Sequence, residues 1–112
     1  MIKTNITRIG DPQIILYEDK YYCYLTGALN DTEGFHVFVS DDLVNWTDGG
    51  LCLDAASHWG NSKFWAPEVI YHGGKFVMHY SANSRELNSL RVGVAVSSSP
   101  LGPFTDVYDA PM

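Results

Sequence analysis

Two places in the chain put a carboxylate where it could do chemistry, and each contains a proline. The first is Asp11-Pro12. The second is Phe64-Trp65-Ala66-Pro67-Glu68-Val69. A prolyl ring fixes φ, removes a backbone donor and biases the preceding residue towards extended backbone, so Ala66 is expected to be extended. In the second stretch two aromatics lead into the proline, an acid follows it, and a strand-forming run begins at Val69-Ile70-Tyr71. An aromatic wall with an acid at its mouth suits a sugar, whose C–H face packs on a ring while carboxylates hold its hydroxyls. The plainer reading is a strand entry whose aromatics belong to the core.

The elements that must position these residues come from a chain of 112 residues, enough for one small domain. It is 46% hydrophobic and 18% charged, which excludes a disordered composition. An aromatic content of 13% fits an all-β protein or a carbohydrate-binding surface. With a formal net charge of -6 and 7 scattered Lys and Arg, there is no basic stripe for a phosphate backbone, so nucleic acid is not an expected partner. No apolar run approaches the roughly 20 residues of a membrane helix, so no membrane partner is expected either. The stretch Met1-Ile2-Lys3-Thr4-Asn5 lacks the apolar core of a signal peptide. The compartment is left open between a cytoplasmic protein and a truncated secreted bacterial one. Cys23 and Cys52 each lie in an apolar segment and read as buried thiols. Neither they nor His36, His58, His72 and His79 have metal-ligand spacing.

Strand and turn signals alternate along the chain. Residues 14–17 and 21–26 form a hairpin about Glu18-Asp19-Lys20; residues 27–34 are a loop; residues 35–40 form a third strand, and Trp46 packs back on the sheet. Residues 51–53 are a short edge strand. The pattern then restarts, with strands at 66–71, 76–81 and 90–97, a turn at His72-Gly73-Gly74-Lys75 and a closing Pro100-Leu101-Gly102-Pro103-Phe104. No amphipathic helix is expected.

The restart is a repeat. Pro67 follows Pro12 by 55 residues and Lys75 follows Lys20 by the same interval; Ser97 follows Ser40 by 57 and Phe104 follows Trp46 by 58. Self-similarity at such a period marks propeller blades, small antiparallel sheets set around an axis. The expected fold is all-β: the first two blades of a five-bladed β-propeller, an incomplete ring, with one blade at about 11–53 and the next at about 64–107. Two blades cannot close a ring, so the chain is read as a fragment of a longer protein, the alternative being two-blade units that associate. Aligning the blades makes Asp11 and Ala66 equivalent, and convergence of inner strands on the axis gathers Asp11, Trp65, Ala66 and Glu68 around one pocket.

These residues carry a resemblance. Asp11-Pro12 with its Tyr21-Tyr22 hairpin, Ser40-Asp41-Asp42-Leu43-Val44-Asn45-Trp46, the Trp65-Ala66-Pro67-Glu68 block, and Val92-Gly93-Val94-Ala95-Val96-Ser97 with the closing segment resemble, in order, the N-terminal part of glycoside hydrolase family 43. That family comprises five-bladed β-xylosidases, α-L-arabinofuranosidases and arabinanases. The resemblance implies a hydrolase that inverts at the anomeric carbon of xylose- or arabinose-containing saccharides, with a plant-type pentose oligosaccharide or polysaccharide as partner. It implies Asp11 as the general base, and Trp65, Ala66 and Glu68 as substrate-binding candidates. Trp65 otherwise packs between blades, and Glu68 is otherwise a hydrogen-bonded structural carboxylate. The family's general acid and its pKa-tuning aspartate lie in later blades, so the isolated chain is expected to be inactive and to need the remaining blades of its parent. No cofactor is required, although members often hold calcium near the axis. The alternative is a non-catalytic carbohydrate-binding or self-assembling half-propeller.

Overall fold

The computed structural model describes residues 10–26, 32–56, 58–108 and 110–112; the side chains of Asp11 and Thr26 lie outside the description. The expected lead-in before Gly10 and most of the loop at 27–34 therefore fall outside the described residues. Eight strands are formed: β1 (Gly10–Tyr17), β2 (Lys20–Thr26), β3 (Gly34–Ser40), β4 (Thr47–Asp54), β5 (Gly60–His72), β6 (Lys75–Ser84), β7 (Leu90–Ser97) and β8 (Thr105–Asp106). They make two four-stranded sheets of consecutive, antiparallel neighbours, β1-β2-β3-β4 and β5-β6-β7-β8, with no helix among the described residues.

Turn chemistry sets the repeat. Glu18 and Asp19 both have positive φ (48° and 65°), and Tyr17 pairs with Lys20, so the first hairpin is a two-residue loop of the kind that matches strand twist. Gly73 and Gly74 do the same at 60° and 81° between His72 and Lys75, with glycine adopting the conformation freely. At the corner after β3, Ser40 Oγ accepts the amides of Asp42 and Leu43 at 3.1 and 2.9 Å. Asp42 Oδ1 accepts those of Val44 and Asn45 at 2.9 and 2.8 Å. The Ser-x-Asp-Leu-x-x-Trp motif is therefore a corner whose side chains replace missing ladder partners. It drops Trp46 onto Cys23 and Leu25 on the outer face of the first sheet.

The main core lies between the sheets. Along β1, Gln13, Ile15 and Tyr17 are half-buried while Pro12, Ile14 and Leu16 are exposed, the alternation of a strand with one covered face. Tyr24, Phe35 and Val37 of the first sheet meet Phe64, Val69, Phe76, Met78 and Tyr80 of the second, all of them buried. Phe35 packs edge-on against Phe64 and Tyr80 with centroids at 5.7 and 5.5 Å, geometry that adds to the area term. The closing segment joins the sheets directly. Phe104 N–H donates to the Cys52 carbonyl at 2.7 Å, and the Tyr24 hydroxyl donates to the Pro100 carbonyl at 2.5 Å. Burial pushes the Cys23 thiol up to about 11 and the Cys52 thiol up to about 12, so both stay protonated packing groups.

Several strands run longer than the sequence reading has them. The edge strand at 51–53 extends to Thr47–Asp54, the strand at 66–71 to Gly60–His72, the strand at 14–17 to Gly10–Tyr17 and the strand at 76–81 to Lys75–Ser84, while the two-residue β8 follows the closing segment. Polar residues at Asp48-Gly49-Gly50 and Asn61-Ser62-Lys63 masked the first two, because edge and bulged positions tolerate residues that a central strand excludes.

Gly93 shows how closely the second sheet is packed. A Cβ there would collide with the Tyr80 ring and lie 2.8 Å from the Trp59 ring. Gly93→Ala is expected to destabilise the protein by about 1–3 kcal/mol, read as a lower urea midpoint at unchanged m. An unchanged midpoint would mean that Tyr80 and Trp59 shift aside without loss.

Candidate active site

The two Xaa-Pro pairs do the same thing to their strands. In β1, Gly10 pairs with Thr26 and Gln13 with Tyr24, so one extra residue is taken up across Asp11-Pro12. In β5, Trp65 pairs with Ser81 and Glu68 with His79, so one extra residue is taken up across Ala66-Pro67. These are bulges at equivalent places, 55 residues apart, and proline explains them, since it has no N–H to give to the ladder. Bulges re-aim side chains and recur beside active sites.

At the second bulge the expectation of an extended Ala66 fails. Its φ is 51°, in the left-handed region, and Lys63 has φ 54°. The bulge sets this, overriding the local preference that Pro67 imposes on its neighbour. A left-handed alanine costs on the order of 1–2 kcal/mol, and such residues gather at functional sites. Ala66 is exposed, Pro67 is buried, and Trp65 is half-buried with the Lys63 ammonium 5.9 Å from its ring centroid. The Ser81 hydroxyl donates to the Trp65 carbonyl at 3.4 Å.

Of the four site candidates, Trp65 and Ala66 stand at this bulge. Asp11 has its backbone at the matching bulge of β1, while its carboxylate lies outside the described residues. Glu68 is exposed and follows its bulge at the place Gln13 holds in β1. The bulges are brought to neighbouring strands by Gln13, whose Oε1 accepts the Val69 N–H at 2.8 Å and whose Nε2 donates to the Val69 carbonyl at 3.0 Å.

Around Asp106 lies a polar network that the sequence reading missed. Gly60 N–H donates to His58 Nδ1 at 2.8 Å, which places the imidazole proton on Nε2. That nitrogen faces Tyr80 Oη at 2.7 Å and Asp106 Oδ1 at 3.0 Å. The Tyr80 hydroxyl donates to Asp106 Oδ2 at 2.6 Å, and Trp59 Nε1 donates to the same oxygen at 2.7 Å. His58 and Asp106 side chains are 8% and 11% exposed, so this is an interior acid satisfied by three donors. Phe64, next to Trp65, packs on His58 and Tyr80 at 5.3 and 6.3 Å. The network thus supports Phe64, the residue before Trp65. A signal for it was present: Thr105-Asp106 repeats Thr47-Asp48 at 58 residues, and Asp48 also meets a histidine, His36 Nδ1, at 3.2 Å.

Burial alone would raise the Asp106 pKa, but the hydrogen bonds from His58, Tyr80 and Trp59 outweigh it and hold the carboxyl below its ordinary value. Backbone amides of Asn45 and Val44 hold Asp42 well below as well. A carboxylate with a depressed folded pKa stabilises the fold above its unfolded pKa, about 3.9, and that contribution is lost as pH falls through the folded value. The urea midpoint is therefore expected to be flat from about pH 7 to 5 and to drop below about pH 4. A midpoint that holds to pH 3 would contradict these depressed values.

Among the described residues, no group of three or more His, Cys, Asp or Glu stands where it could hold a metal ion. Among the same residues, no helix is long and apolar enough to cross a membrane.

Comparison with known proteins places this geometry. The profile described as Glycosyl hydrolases family 43 matches residues 5–112. The chain is 32% identical to xylosidase/arabinosidase 43A of Humicola insolens, covering 86% of this chain and 34% of that protein. It is also 32% identical to an extracellular endo-α-(1→5)-L-arabinanase of Bacillus subtilis, covering 81% and 30%. Among solved structures, a thermostable family-43 glycoside hydrolase superposes with TM-score 0.85 at 42% identity, over 94% of this chain and 34% of that one. A compost-metagenome β-xylosidase/α-arabinofuranosidase, solved with xylotriose in a calcium-free form, superposes with TM-score 0.82 at 28% identity, over 99% and 38%. The chain spans about a third of the length of these relatives. With a matching profile along nearly its whole length and two sheets that superpose on part of a five-bladed propeller, the chain belongs to glycosyl hydrolases family 43.

Proposed function

We propose that this chain is the N-terminal two blades of an inverting hydrolase of xylose- or arabinose-containing saccharides, and that it carries the general base without the general acid. The observation that carries the reading is the pair of matching bulges on adjoining strands, one bearing Asp11 and the other Trp65-Ala66.

Asp11, ionised, takes a proton from water as that water attacks the anomeric carbon. The glycosidic bond breaks on the opposite face, and the leaving oxygen receives its proton from an acid in a later blade. The two carboxyls of such a pair stand roughly 6.5–9.5 Å apart to admit the water. Trp65 offers the sugar an apolar face, and Ala66 a small exposed surface where a larger side chain would intrude. For Glu68, the place it shares with Gln13 favours a hydrogen bond to protein over contact with sugar.

The later blades cover the second sheet's free face. Ile70, Leu90 and Val92 lie on that face by strand alternation and are 55%, 48% and 49% exposed. No metal step is invoked.

The test compares the 112-residue chain with the full-length product of its gene on aryl β-xyloside and aryl α-L-arabinofuranoside. The full-length protein is expected to turn over at least one of them, and the isolated chain neither. Turnover by the isolated chain above that of its Asp11→Asn variant would overturn the division of labour. A full-length protein inactive on both, but binding xylotriose, would favour a binding module.

A further inference from the structure

We propose that Gln13 is a positioning residue of this hydrolase. Its carboxamide closes a two-hydrogen-bond ring with the backbone of Val69 and so fixes the spacing between the Asp11-Pro12 bulge and the Trp65–Glu68 bulge. The proposal rests on the hydrolase reading above.

β1 and β5 are each the first strand of their sheet, so among the described residues each has one edge with no ladder partner. Val69 is fully buried, and its N–H and C=O turn to that open edge of β5. Buried backbone groups left without partners cost about 1–3 kcal/mol each. No backbone strand supplies the partners here. The Gln13 side chain does, with Oε1 accepting from Val69 N–H at 2.8 Å and Nε2 donating to the Val69 carbonyl at 3.0 Å.

A carboxamide is suited to this because it offers a donor and an acceptor in one plane, as a peptide group does. Glutamate keeps the shape but, ionised, has only acceptors and would face the Val69 carbonyl with a second oxygen. Asparagine keeps the chemistry but is one methylene short.

The location gives the clasp its consequence. Gln13 is the first residue after the β1 bulge to regain pairing, opposite Tyr24, and Val69 follows Glu68, which closes the β5 bulge opposite His79. The ring therefore ties the strands at the residues next to both bulges. Further along, Tyr17 meets Tyr71 at 5.1 Å between ring centroids, and ring packing permits sliding. Two directional hydrogen bonds do not, and a shift of about 1 Å at reacting groups can cost 10²-fold in rate.

The experiment uses Gln13→Glu and Gln13→Asn in the full-length protein, assayed well below the melting temperature of each variant, together with amide exchange at Val69 in the 112-residue chain. Gln13→Glu is expected to lower kcat about ten-fold or more, with KM changed less than about three-fold, and Gln13→Asn to fall between it and wild type. Val69 exchange is expected to rise in both variants while that of Met78 and Val96 stays level.

A melting temperature that falls while kcat stays within two-fold of wild type would overturn positioning and leave a purely structural clasp. Unchanged Val69 exchange would overturn the clasp itself. A wild-type full-length protein with no glycosidase activity would overturn the hydrolase reading and the positioning role with it, and the Val69 exchange would then still decide the clasp.

Discussion

Replacing Asp11 by asparagine in the full-length protein is expected to lower kcat by about 10²–10⁴-fold, the range for loss of one general acid–base group. The substitution keeps the shape of the side chain and its place in the bulge, and removes only the capacity to take a proton from water. KM for an aryl β-xyloside or aryl α-L-arabinofuranoside should change far less, because the lost interaction develops in the transition state. The backbone of Asp11 stands at the bulge in β1, next to the strand that carries Trp65 and Ala66. The check is steady-state kinetics of both proteins across the pH range of activity. A loss smaller than about ten-fold would remove Asp11 from the role of base.

Asp106→Ala carries the largest expected effect on the fold. It strips the acceptor from the Trp59 indole, the Tyr80 hydroxyl and His58 in one step, inside a site whose acid is 11% exposed. Breaking a buried hydrogen-bonded charge network costs about 3–5 kcal/mol, against a total of about 5–15 kcal/mol for a typical domain. Tyr80→Phe removes one donor and should cost only about 1–2 kcal/mol. Urea denaturation of wild type and both variants ranks them. A cost below about 1 kcal/mol for Asp106→Ala would mean that water replaces the carboxylate and that the network is not what holds Phe64 against Tyr80. The two substitutions act on different links. In the proposed mechanism Asp11 serves the reaction from the strand mouth, while Asp106 holds the packing around Phe64.

The repeat made the fold legible. Prolines, lysines and aromatics at fixed intervals gave the two sheets, their hairpins and the corner after β3, because each of these devices is local: a residue type that sets a backbone angle or replaces a ladder partner. Trp46 packing back on its sheet followed from the same corner, and the residues it meets are Cys23 and Leu25. What escaped was set by contacts between elements. Ala66 takes a left-handed φ because the ladder must absorb an extra residue at Pro67, against the preference of the dipeptide alone. β5 begins at Gly60, well before the proline, since its bulged start pairs with the end of β6. The Asp106 network joins residues 47 and 48 positions apart, and only half of it, Thr105-Asp106 repeating Thr47-Asp48, left a mark on the sequence. Gln13 left none, for nothing in its neighbourhood announces a partner 56 residues away.

The configuration of the first sugar released bears most directly on Asp11 as a general base. Proton NMR in the first minutes of turnover of an aryl β-xyloside by the full-length protein resolves the two anomers before they equilibrate. A base that activates water yields the inverted anomer, α-xylose, first. Release of β-xylose first would mean a covalent intermediate and a nucleophile at Asp11, and would contradict the mechanism proposed for this chain.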